Sequence, residues 1–279
     1  MNKRAAFSTL SILLVLFYVA WWILLQLLAP THDSVFNDYY ADTYGIISGV
    51  GGLIGIIVAF RYGLLKSYVG RSISFFSLGL ISQFLGQISY TILFYVYGIE
   101  NAYPAFGEIF FLASIPLYIL GLWYIGKSSG VTISLQSFKN RISVVLIPVL
   151  MIGISYSLFL RNYDGQDLPF NIVFLDYVYP LGQALFFSLA MLIFYLTNNI
   201  LGGIMRNRVL FILFSLLFQY IADSLFIFET RAETWYAGGL SDLMFVISYF
   251  LMTMALIRFE NIEEDIKKRR VLNGSNQTV

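Results

Sequence analysis

Eight stretches of this chain are long and apolar enough to cross a lipid bilayer, at about 6–28, 43–65, 72–98, 104–126, 142–160, 174–198, 207–228 and 234–258. A helix needs roughly 20 apolar residues to span the hydrocarbon core. Composition agrees, with 58% hydrophobic, 18% aromatic and only 12% charged residues, where soluble domains carry about 25% charged. The expected fold is an all-α integral membrane protein of eight transmembrane helices, with 1–259 as membrane domain and 260–279 as a short cytoplasmic tail. The first stretch follows "MNKR". It exceeds the roughly 7–15 apolar residues of a signal peptide and no small-x-small cleavage site follows, so it reads as a retained span.

Charge placement orients these spans. With eight crossings, all but two of the 17 Lys and Arg residues fall on one side: Lys3, Arg4, Arg61, Lys66, Arg71, Lys127, Lys139, Arg141, Arg206, Arg208, Arg258 and "KKRR" at 267–270. Arg161 and Arg231 fall on the other, with Asp33, Asp38, Asp42, Glu100, Asp164, Asp167, Glu229 and Glu233. Positive charge marks the cytoplasmic side, so the protein is expected in the plasma membrane with both termini cytoplasmic. A different span count would scramble the alternation. The net charge of +1 gives no argument for nucleic acid, and the absence of cysteine excludes disulfides and thiolate metal sites. The single histidine, His32, excludes bis-imidazole haem ligation within the chain. No cofactor is expected.

The even-numbered spans open alike. Span four begins "YPAFGEIFFLAS" (103–114), span six "YPLGQALFFS" (179–188) and span eight "YAGGLSDLMFVIS" (236–248). Each has an outer aromatic, then Gly or Pro, then a small residue followed by a polar one: Gly107-Glu108, Gly182-Gln183, Ser241-Asp242. Glu108 and Asp242 each lie six residues before a serine, Ser114 and Ser248. The preceding spans extend the match, "QFLGQIS" (83–89) aligning with "QYIADSL" (219–225) to pair Gln83 with Gln219 and Gln87 with Asp223. Three related hairpins are expected, with spans one and two a diverged fourth or an addition. Convergence is the alternative, since outer helix ends commonly carry such residues.

Glu108, Asp223 and Asp242 are placed about one to two turns, roughly 7–10 Å, inside the outer boundary, with Asp176 closer to it. An Asp at the centre of a membrane helix costs about 2.5–3.5 kcal/mol on insertion scales, and less toward the interface. Three acids at one depth are expected to line a polar cavity open to the outside, with Gln87, Gln183 and Gln219 beside them. Gln83, Gln87 and Tyr90 share a helix face by spacing, as do Gln219 and Asp223. Interhelical fastening is the plain reading of these groups. The sharper one is a ligand site, because clustered carboxylates repel unless a cation or proton is shared; the implied ligand is a small cation or a proton.

Other motifs weigh less. "GIISGVGGLIG" (45–55) carries small residues at four-residue spacing, which suits close intramolecular packing before dimerisation. No span contains Lys, so a retinal Schiff base is unavailable. "YIAD" (220–223) and "GLSD" (239–242) are like the paired aspartates of intramembrane aspartyl proteases, where two acids sharing a proton activate water. Ser241 stands in place of that family's glycine and no later span supplies its Pro-Ala-Leu element, so no enzyme is expected. The tail "ENIEEDIKKRRVL" (260–272) is helix-favouring, with Glu263 before Lys267 and Glu264 before Lys268. "NGS" (273–275) and "NQT" (276–278) fit the glycosylation pattern, unused on a cytoplasmic tail.

Taken together, "LGQISYTILF" (85–94) with "YPAFGEIFFLASIPLYILGL" (103–122), "YPLGQALFF" (179–187) and "IADSLFIFETRAETWYAGGLSDLMFVISYFLMTMAL" (221–256) resemble the multi-span membrane module at the N-terminus of many bacterial GGDEF/EAL cyclic-di-GMP proteins. The family's acidic positions match Glu108, Asp223 and Asp242, while Gln87 and Gln183 depart from it. The resemblance implies a sensory or regulatory module. No cyclase, phosphodiesterase or kinase domain follows, so another membrane or cytoplasmic protein is expected to carry the output. A small-solute or proton-coupled transporter and a structural subunit of a larger membrane complex are the alternatives.

Overall fold

The computed structural model describes residues 3–28, 32, 34–99, 103–129, 131, 135–166, 168–197 and 206–261. The helices are α1 (Lys3–Leu28), α2 (Val35–Thr43), α3 (Ile46–Arg61), α4 (Tyr68–Tyr97), α5 (Gly107–Ser128), α6 (Phe138–Ser155), α7 (Phe170–Thr197), α8 (Arg206–Arg231) and α9 (Leu240–Arg258). A π turn over Tyr156–Leu160 extends α6. There is no strand among the described residues. Counting α2 and α3 as one stretch, eight helical stretches are long and apolar enough to cross a membrane. Their outer surface is apolar: Leu13, Leu16, Phe60, Trp123, Val145 and Phe170 are each more than half exposed. A surface of that extent suits lipid better than water, as in a multi-pass membrane protein.

Each expected stretch has its helix, with shifted ends. The second begins at Val35 rather than near 43, because Ser34 caps the polar segment, its Oγ accepting from the Phe36 amide at 3.2 Å, and Asp38 sits in the first turn. The sixth begins at Phe170, after Pro169, whose carbonyl accepts from Ile172 and Val173. The eighth begins only at Leu240: Gly238 takes a left-handed φ of +75° and Gly239 is extended. The fourth begins at Gly107, past Pro104. Glu108 and Asp242 therefore stand in first helical turns, where free amides and the helix dipole favour a carboxylate.

The bundle is held by close pairs: α4 on α5, α8 on α9, α3 between α4 and α9, and α7 against α5, α6 and α8. Without a hydrophobic force between helices in lipid, association depends on close packing. The glycines of α3 supply it. A Cβ on Gly51 would lie 2.0 Å from Thr253 Oγ1, and one on Gly55 would lie 2.1 Å from Ser77 Oγ. These small residues serve contacts within the chain. Beyond α9, a short turn over Phe259–Asn261 is tied back to α3, with Arg61 paired to Glu260 at 2.8 Å and the Tyr62 hydroxyl donating to the Phe259 carbonyl. The rest of the tail, with Glu263, Glu264, Lys267 and Lys268, lies outside the described residues, as do Asp33, Glu100 and Asp167.

Candidate functional site

Glu108 is 8% exposed, and three helices meet on it. Tyr90 of α4 donates to its Oε1 and Tyr179 of α7 to its Oε2. The glycine before it has a specific job. A Cβ on Gly107 would come within 2.8 Å of the Tyr90 ring, so the small-then-polar step lets that ring reach the acid. Tyr179 shares a face of α7 with Asp176 and Gln183, by steps of three and four residues. Asp176 accepts from Tyr163 at 2.6 Å and from Tyr103 at 3.2 Å. Burial, then the Asp176 charge, holds the Tyr103 phenol far above its ordinary pKa, so it stays a donor.

Further along α7, Gln183 is 4% exposed and lies near Asp223 on α8. Its Oε1 has no partner among the described residues. Asp223, half-buried, accepts from Gln219 Nε2 at 3.0 Å and lies within electrostatic range of Glu108. Ser248 of α9 donates to Gln219 Oε1 at 3.1 Å. Glu108, Asp176, Gln183, Gln219 and Asp223 thus form one polar band across α5, α7 and α8.

Asp242 belongs to a different junction. It is 3% exposed, and its Oδ2 accepts from the Gly238 amide at 2.8 Å, a carboxylate in the first turn reaching back to cap the chain before its helix. Tyr44 is within hydrogen-bonding reach. The loop it caps is tied to α1 and α2: Trp22 donates to the Gly239 carbonyl at 3.1 Å, Gln26 to that of Gly238 at 3.1 Å, and Asn37 to that of Ala237 at 2.9 Å. Tyr236 donates to Gln26 at 3.2 Å, and burial and the Glu229 charge keep its phenol protonated by raising its pKa. Asp223 accepts from Gln219 and Asp242 from Gly238, and the two acids do not bond to one another. Tyr44 and Tyr249 each lie within electrostatic range of both acids.

Gln87 lies apart from the band and donates to the Ala41 carbonyl at 2.8 Å, joining α4 to α2. The groups that sequence reasoning missed are the tyrosines. Tyr103 and Tyr179 open the two "YP" elements, which made them read as interfacial aromatics; in the fold their hydroxyls hold acids.

No known protein family, curated protein or solved structure matches the chain.

Chemically, Glu108, Asp223 and Asp242 share one property: their contacts are tyrosine hydroxyls, glutamine amides and a backbone amide, and among the described residues no Lys or Arg acts on them. Among the described residues, no three His, Asp or Glu come close enough together to hold a metal ion. The band can accept hydrogen bonds and bind positive charge.

Proposed function

We propose that this chain is a sensor-like or regulatory membrane protein whose outward-facing site, centred on Glu108, Asp223 and Gln183, recognises a small cation or a proton and signals through a separate partner. One observation carries the reading: Glu108 and Asp223 are within electrostatic range of each other, and neutral donors alone hold them. Neutral fasteners suffice elsewhere, as where Gln83 donates to Ser114 at 2.7 Å, so charge is not needed merely to join helices. Two nearby carboxylates repel until a cation or proton is shared. The two acids and their partners lie on α4, α5, α7 and α8, so occupancy would alter the packing of four helices. The resemblance to the membrane modules of cyclic-di-GMP proteins supports the same reading.

Duplicated hairpins are part of this proposal. Gln83 to Ser114 joins α4 to α5, and Ser248 to Gln219 joins α8 to α9. These are the same motif positions in both hairpins, which supports a common origin with spans five and six as a third copy. Repeats and buried acids also suit a small-solute or proton-coupled transporter. The test is thermal melting of the purified full chain at constant ionic strength. Sodium, magnesium or ethanolamine chloride should raise the wild-type melting temperature by mass action, and the Glu108→Gln/Asp223→Asn variant should lose that response. An insensitive wild type would defeat the site. Flux of the same ion in proteoliposomes would make the protein a transporter, and stoichiometric co-purification with a complex, without any cation response, would make it a structural subunit.

The plasma-membrane orientation, with both termini in the cytoplasm, rests on the Lys and Arg asymmetry. Cysteines introduced at Asn162 and Ser275 should label from opposite faces of intact cells. Labelling from one face would overturn the eight-span arrangement.

A further inference from the structure

At the Lys- and Arg-rich end of the bundle, α4 begins and α5 ends side by side, fixed by the Ser72 hydroxyl donating to the Gly121 carbonyl at 2.8 Å. Tyr68, Arg71 and Phe75 share one face of α4, and Tyr124 and Lys127 one face of α5. The Tyr124 ring stacks on Phe75 at 5.6 Å and on Tyr68 at 6.2 Å. Over this shelf stand two cations. The Arg71 guanidinium is 5.4 Å from the Tyr124 centroid and 6.0 Å from that of Tyr68. The Lys127 ammonium is 5.0 Å from Trp123 and 5.8 Å from Tyr68. Arg71 Nε donates to the Leu65 carbonyl at 2.6 Å, which orients the guanidinium and leaves its terminal amines free of that bond. Neither cation is ion-paired with a carboxylate among the described residues. Trp123 is 60% and Tyr68 51% exposed, so the patch lies on the outer surface.

We propose that this patch binds the phosphate of an anionic phospholipid headgroup. Ring faces attract cations without neutralising them, so two positive charges remain to be matched. The guanidinium fork fits a phosphate, and the ammonium adds a second point charge. Trp and Tyr concentrate at the headgroup level of a bilayer. A dissolved anion would gain nothing from the exposed aromatic shelf, whereas a lipid lays its glycerol and upper acyl carbons on it. The site is independent of the carboxylate band and stands whatever that band recognises.

The test places the full chain in phosphatidylcholine nanodiscs containing brominated phosphatidylglycerol or brominated phosphatidylcholine, and reads quenching of Trp123 as the difference between wild type and Trp123→Phe. The brominated anionic lipid should quench at about a tenfold lower mole fraction than the neutral one, given two interfacial cations. Arg71→Gln/Lys127→Gln should abolish that preference, Arg71→Lys should keep part of it, and Lys66→Gln should leave it intact. Equal quenching by the two lipids in wild type overturns the proposal, and that comparison needs no variant of the patch to fold. An undiminished preference in the double variant also overturns it. Relief of quenching by added inorganic phosphate would make the patch a soluble-anion site and defeat the lipid assignment.

Discussion

Replacing Glu108 with leucine should destabilise the protein by about 2–4 kcal/mol, whereas glutamine should cost about 1 kcal/mol or less. Leucine fills the volume but takes the carboxylate from the Tyr90 and Tyr179 hydroxyls, leaving Tyr179 only its long bond to the carbonyl of residue 108 at 3.4 Å, and an orphaned buried donor costs about 1–3 kcal/mol. Glutamine still offers an oxygen to one tyrosine and an amide that the other hydroxyl can accept. In lipid the unfolded reference also finds partners, which holds the expected value below a simple sum of the two losses. Reversible unfolding in mixed detergent micelles measures both variants. Tyr179→Phe adds a check: in the leucine background it should cost less than in wild type, since its hydroxyl has already lost the carboxylate and keeps only the long backbone bond, while in wild type it should cost about 1 kcal/mol. Equal stability of the leucine and glutamine variants would show that the two tyrosines do not depend on this acid.

The spans were legible because each is a property of its own stretch of sequence. Their ends were less so, because caps and breaks decide them. The polar run from Val35 to Thr43 fell before the expected second span, yet Ser34 and Asp38 start a helix there. Glu108 and Asp242 read as one to two turns deep, because Pro104 and the Gly238-Gly239 pair delay the true helix starts to Gly107 and Leu240. The inward direction of the acids followed from the cost of facing lipid. Their partners did not follow. That Tyr179 meets Glu108 depends on α7 lying against α5, a contact across 71 positions that spacing within one helix cannot reveal. Gln83 and Gln87 share a face with Tyr90, yet Gln83 finds Ser114 of α5, Gln87 finds Ala41 of α2, and Tyr90 finds Glu108 of α5 again.

Asp242 decides how far charge matters at the second junction. Asp242→Asn should melt within about 1 kcal/mol of wild type, because a side-chain oxygen remains for the Gly238 amide, the new amide can donate to the Tyr44 hydroxyl, and the main loss is the interaction of a charge with the helix N-terminus. Asp242→Leu should cost about 2–3 kcal/mol, since it strands that buried amide and loosens a loop that Trp22, Gln26 and Asn37 hold by its carbonyls and by the Tyr236 hydroxyl. The loosened loop should be visible directly: a cysteine at Ala237 should react faster with a small maleimide in the leucine background than in the asparagine one. Because the hydrogen bond of Asp242 to Gly238 is local, Asp242→Asn should also retain the cation-dependent rise in melting temperature that Glu108→Gln/Asp223→Asn loses. Loss of that rise in Asp242→Asn, with its stability intact, would instead make Asp242 a charged member of the ligand site. Equal stability of the leucine and asparagine variants would mean that the loop is held without its cap.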